Sequence, residues 1–65
     1  MPYNNLGVLY VRTGQLDRAI DVFERALKIR EDKDVYYNLA AAYLEKGDTA
    51  KAIDAYKKSK NMAIK

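Results

Sequence analysis

The sequence predicts an all-α chain of two stacked antiparallel helix-turn-helix hairpins. They form one domain over residues 1–65, with repeat one at 1–33 and repeat two at 34–65. Three observations carry this. The first is repetition: Tyr3, Leu6, Tyr10, Gly14, Ala19 and Ile20 return thirty-three residues later as Tyr36, Leu39, Tyr43, Gly47, Ala52 and Ile53. Asn5 and Asp21 recur as Asn38 and Asp54, with near-matches of Gly7 to Ala40, Phe23 to Tyr56 and Ala26 to Ser59. A fixed period of this size marks one supersecondary unit used repeatedly, each copy burying its apolar face against the next. The second is that the apolar residues fall at helical spacing. The third is composition: helix formers dominate, proline occurs once, and six Tyr with one Phe supply bulk, a profile that argues against disorder.

The first helix is expected from Pro2 or Tyr3 to Arg12, because Tyr3, Leu6, Gly7 and Tyr10 share one face and Pro2 suits a first helical position, where its missing N–H costs nothing. Thr13-Gly14-Gln15 ends it, Gly14 being able to take the left-handed conformation that closes a helix. The second helix, from Leu16 or Asp17 to Arg30, carries the strongest stripe: Ala19, Ile20, Phe23, Ala26 and Leu27. Asp17 puts negative charge in its first turn, where the helix dipole favours it. The small residues Gly7 and Ala19 allow the paired helices to approach closely. Residues 30–34 hold neither Pro nor Gly, so two outcomes stand here. In one, Asp34 caps a third helix running from Val35 to Lys46; in the other, the second and third helices fuse. The third helix presents Tyr36, Leu39, Ala40 and Tyr43, and Gly47 closes it. Asp48 is the N-cap for a fourth helix from Thr49, whose stripe of Ala52, Ile53 and Tyr56 fades at Ser59 and Lys60 before Met62 and Ile64 resume it. The expected core is Leu6, Tyr10, Ala19, Ile20, Phe23, Leu27, Leu39, Tyr43, Ile53 and Tyr56. Val8, Leu9, Val11, Ala41, Ala42 and Leu44 remain as apolar edges.

Read together, Tyr3, Leu6-Gly7, Tyr10, Gly14, Ala19, Phe23 and Ala26, with their second set, resemble the tetratricopeptide repeat, a helix-turn-helix unit of about 34 residues. The resemblance covers nearly the whole chain and implies a fragment of a right-handed superhelical solenoid acting as a binding scaffold. It also implies that the first helix of each repeat lines a concave groove receiving an extended peptide or a partner helix. The matching positions are Asn4, Asn5, Val8 and Arg12 in repeat one and Tyr37, Asn38, Ala41 and Glu45 in repeat two. Asn5 and Asn38 then either bond a peptide backbone through their amides or bridge neighbouring helices, and Tyr37, off the core stripe, is a candidate anchor for a ligand or a second protomer. The chain departs from the family pattern where the usual Pro near the end of the second helix is missing, and its period is one residue short. One branch of the family clamps a peptide carboxylate with Lys and Asn. Here Asn4 stands where that Lys belongs, Val8 where that Asn belongs, and the third repeat that completes the clamp is absent, so tail clamping is not expected.

With no cysteine and no histidine, disulfides, thiolate or imidazole metal sites and Cys- or His-based catalysis are excluded for these residues. Thr13, Thr49, Ser59 and the tyrosines have no histidine to activate them, and Asp17, Asp21, Glu24 and Asp54 read as ordinary polar-face residues. No phosphate-cradling glycine loop or calcium loop is present. The expectation is therefore no enzyme, cofactor or metal. No apolar run approaches the roughly 18 residues of a membrane span, and no secretory leader opens the chain, which favours the cytoplasm. Met1-Pro2 leading directly into the first core tyrosine reads as a trimmed boundary, natural or engineered. The net charge of +3 is concentrated late, in Lys57, Lys58, Lys60 and Lys65. A solvated last helix accounts for it better than a nucleic-acid contact does.

These readings converge on a protein-interaction module that binds a peptide segment or partner helix without chemistry. The alternative is self-assembly into a homo-oligomer, including a domain-swapped form through a fused second and third helix. Its basis is size: a chain of this length buries only about 60% of the surface its unfolded form exposes, and about three repeats are usually needed for stability. A basic nucleic-acid accessory is the weakest of the three.

Overall fold

The computed structural model of the protein describes residues 3–63. Its helices are α1 (Tyr3–Arg12), α2 (Leu16–Ile29), α3 (Lys33–Lys46) and α4 (Thr49–Ala63), and the described residues contain no strand. Pro2, Ile64 and the side chain of Met62 lie outside the described residues.

Both hairpin turns are built the same way. Gly14 takes φ 77°, which lets its own N–H reach the Val11 carbonyl (3.1 Å) and the Gln15 N–H reach that of Tyr10 (2.8 Å). At Gly47, φ is 92°, and the corresponding bonds run from Gly47 to Leu44 (3.1 Å) and from Asp48 to Tyr43 (2.9 Å). These paired bonds satisfy carbonyls that a helix end otherwise leaves bare, and they need a left-handed residue where glycine carries no β-carbon penalty. Asp48 then caps α4 by accepting the Lys51 N–H on Oδ1 (3.2 Å).

The linker between hairpins decides between the two open outcomes and corrects one expectation. Arg30 and Asp32 are extended, with φ of −159° and −148°, so α2 and α3 are not fused. The cap of α3 is Asp32, not Asp34: its Oδ1 accepts the N–H groups of Asp34 (2.7 Å) and Val35 (3.4 Å). A short acidic side chain on an extended residue can reach the second and third amides ahead of it, and Asp34, already inside the first turn, is left to complement the dipole.

α3 is central. It packs on α4 within its own hairpin and on α2 of the preceding one, and it also touches α1. The core gathers where these surfaces meet, with Ala19, Phe23 and Ala42 wholly enclosed. Val35, Leu39, Ala40 and Ala55 join the same cluster, and Tyr10, Leu27 and Tyr43 pack against it partly buried. Phe23 lies directly over the α1 backbone at Gly7. A β-carbon there would stand 2.6 Å from the ring's Cζ and 2.7 Å from its Cδ1, so the absence of a side chain at Gly7 is what brings α1 and α2 so close.

Two sets of residues differ from the expected core. Ile53 and Tyr56 are exposed: they continue the helical stripe, but no other element among the described residues packs over them. Ala42, expected at an edge, is enclosed because α3 has neighbours on both sides. Val8 and Val11 also turn inward onto the core, whereas Leu9, Ala41 and Leu44 remain exposed.

Candidate functional site

The positions that the repeat resemblance assigns to a groove divide into two groups. Asn4 and Asn38 are half-buried, and the Asn38 side-chain amide donates to Asn4 Oδ1 (2.8 Å). This bond ties α1 to α3 across the repeat boundary, so Asn38 acts as a bridge between helices. Val8 packs on the core; Asn5, Arg12 and Glu45 are exposed. Tyr37 and Ala41 belong to a different surface. With Leu44 on α3 and Ile53 and Tyr56 on α4, they line a shallow apolar depression of ≈ 320 Å³, floored by Ala40 and Ala52. The Tyr37 and Tyr56 rings meet there at 5.9 Å, inclined by 49°, within the range where tilted aromatic pairs attract.

Ile53 and Tyr56, expected in the core, are surface residues. The signal was available in the fading of α4 after Tyr56, which marks a stripe with nothing to bury against. With Tyr37, Ala41 and Leu44, Ile53 and Tyr56 gather the exposed apolar groups of α3 and α4 in one place.

A second depression, of ≈ 410 Å³, opens at the other end, on α1 and α2. Tyr3, Leu6, Tyr10 and Val22 form its apolar part, and Asp17, Asp21, Arg18 and Arg25 its rim. The rim is charge-balanced: Arg25 pairs with Asp21 at 3.2 Å, and Asp17 pairs with Lys46. The recurring Asp54 pairs likewise with Lys58 at 3.5 Å. All these groups are largely solvated, and such pairs contribute little stability.

Other polar groups are tied into the fold. Tyr43 donates its hydroxyl to Glu24 (2.8 Å) and Tyr36 donates to Glu31 (2.9 Å). Loss of solvent around the ring, then the bond to a carboxylate, pushes the Tyr43 hydroxyl up to about 12, and Tyr36 is raised for the same reasons. Thr13 Oγ1 lies against the Leu9 and Tyr10 carbonyls, and Ser59 Oγ donates to the Lys33 carbonyl (2.9 Å). Among the late lysines, Lys58 and Lys60 lie over the rings of Tyr36 and Tyr56 at 5.9 and 5.3 Å, contacts in which a cation is held by the ring quadrupole. No group of three or more acidic side chains able to hold a metal ion occurs among the described residues, and no helix there is long and apolar enough to cross a membrane.

In comparison with known proteins, the family model described as tetratricopeptide repeat matches residues 4–62. No curated protein matches the chain in sequence.

Proposed function

The chain belongs to the tetratricopeptide repeat family, whose repeats are generally protein-interaction modules, and from that membership we propose that it binds a peptide segment or partner helix laid along α1 and α3. The observation that carries the reading is Tyr37: a large aromatic side chain held exposed on α3, braced by Tyr56 and adjoining apolar Ala41. An aromatic group already fixed in place loses little conformational entropy on binding, which is why such residues dominate interface energetics. Asn5, Arg12 and Glu45 are exposed polar residues on the same two helices, and the Asn4–Asn38 bond holds α1 and α3 in register.

The test is to select peptides displayed on phage against the folded chain and map the bound peptide by amide chemical shifts. Changes should cluster at Asn4, Asn5, Val8, Tyr37, Asn38 and Ala41, and Tyr37→Ala should weaken binding about tenfold or more. Peptides that bind with no change at α1 or α3, or that tolerate Tyr37→Ala, sink the proposal. Binding of duplex DNA at Lys57, Lys58 and Lys60, abolished by modest salt, would replace it with the nucleic-acid reading.

A second reading, self-assembly, is favoured by a separate observation: apolar surface lies open at both ends of the stack, at Leu44, Ile53 and Tyr56 on one side and at Tyr3 and Leu9 on the other. Oligomerisation is a common remedy for a core this small.

A further inference from the structure

We propose that copies of this chain associate head to tail, the α3–α4 face of one receiving the outer α1 face of the next, as α1 and α2 receive α3 inside the molecule; the inference rests on the self-assembly reading and gives it a geometry. Positions related by the thirty-three-residue period differ sharply in burial. Ile20 and Phe23, which the second hairpin covers, are 9% and 0% exposed, whereas their equivalents Ile53 and Tyr56 are 49% and 43% exposed. In the opposite direction, Tyr36 and Ala42, turned into the shared core, are 9% and 0% exposed, and their equivalents Tyr3 and Leu9 are 42% and 46% exposed. Each end therefore repeats the chemistry of one half of the interface already formed inside the molecule. Among the described residues, neither of these outer halves has its complement against it. A second copy placed by the internal repeat operation supplies both.

The side chains fit this operation well enough to hold, less well than the internal joint. Ala41, Leu44, Ile53 and Tyr56 stand where Val8, Val11, Ile20 and Phe23 receive the second hairpin. The internal bond from Tyr43 to Glu24 becomes a pairing of the next copy's Tyr10 with Lys57, with the ammonium now donating to the phenol oxygen. The Asn4–Asn38 contact becomes an encounter between Tyr37 and the next copy's Asn5. The Lys46–Asp17 ion pair has no counterpart, since Thr13 and Ala50 occupy those positions. Because the two faces differ, the contact is heterologous: a dimer still has one open face of each kind, so assembly grows with concentration and does not stop at a dimer.

Sedimentation velocity of the whole chain tests this. One variant blocks the α3–α4 face with Leu44→Glu and Ile53→Glu, and another blocks the outer α1 face with Tyr3→Glu and Leu9→Glu. All four positions are exposed, and circular dichroism confirms folding. The wild type should gain mass with concentration beyond a dimer. Each variant alone should associate at least about tenfold more weakly, yet an equimolar mixture should form a discrete dimer, because each partner retains one open face. Assembly that responds to the α3–α4 variant alone, with no recovery on mixing, would show a symmetric dimer and overturn the head-to-tail geometry while leaving self-assembly in place. A wild type that stays monomeric to about 1 mM would overturn self-assembly as well, leaving the α3–α4 face to a different protein.

Discussion

Replacing Gly7 by alanine should destabilise the chain, and the same replacement should turn neutral or favourable once the Phe23 ring is shortened. In an unobstructed helix interior, alanine is better than glycine by about 0.5–1 kcal/mol. Here the new β-carbon would stand 2.6–2.7 Å from two Phe23 ring carbons, against an optimal carbon–carbon separation of about 3.5–4.0 Å. Phe23 has no exposed surface, so the rigid ring has no space to swing into, and α1 must move instead. Overpacking of this kind costs about 1–3 kcal/mol, and the clash with several ring atoms puts it toward the upper end. The expected net loss is therefore about 1–2 kcal/mol, a large fraction of the roughly 3–10 kcal/mol available to a chain of this size. With Phe23→Leu the obstruction is gone and only the helix preference remains, giving a coupling between the two sites of about 2–3 kcal/mol. Urea denaturation of the wild type, both single variants and the double variant, followed by circular dichroism, measures it. If Gly7→Ala shifts stability equally in both backgrounds, the ring is not what the glycine accommodates. Phe23→Ala by itself should cost about 3–5 kcal/mol, and a loss below about 1 kcal/mol would place the ring outside the core.

Asp32→Ala should lower stability by about 0.5–2 kcal/mol through loss of the α3 cap, and Asp34→Ala by less, since only a dipole interaction of about 0.3–1 kcal/mol is removed. Thermal unfolding compares them, and a larger effect at Asp34 would contradict the observed cap. Gly47→Ala meets no neighbour within 4 Å, so its cost should be the backbone penalty alone, about 1–2 kcal/mol for a left-handed residue; an unchanged melting temperature would refute the turn geometry. The Tyr43 hydroxyl titrates near 12 in the fold against an ordinary 10.0, so the folded state holds this proton more tightly than the unfolded chain. Its stabilisation is complete below pH 10 and lost as pH rises toward 12, with Tyr36 acting in the same direction. Phenolate absorbance should show tyrosines that titrate late, one fewer of them in Tyr43→Phe.

The helices, the glycine turns and the Asp48 cap were legible in the sequence because each depends on interactions within a few residues: a carbonyl bonded three to five positions on, a side chain reaching a nearby amide, a glycine where φ must be positive. The repeat period declared the hairpin pairing for a related reason, since two copies of one amphipathic unit can bury their faces only against each other. The linker was harder. Asp32 and Asp34 are both good caps, and the choice fell to Asp32 only where the chain leaves α2 extended at Arg30, a path set by how α3 must sit on α2. The candidate site divided in the same way. Tyr37 stood out as an off-stripe residue and Ala41 as an apolar edge, but their union with Ile53 and Tyr56 from α4 required the packed hairpin, and Asn38 was free to bond a ligand or a neighbour until α1 was brought beside it. Burial itself was beyond any stripe. Ile20 and Ile53 are the same residue at the same place in the same motif, yet one is covered and the other open, because exposure is decided by whether another hairpin stands alongside, and that neighbour belongs to the tertiary structure alone.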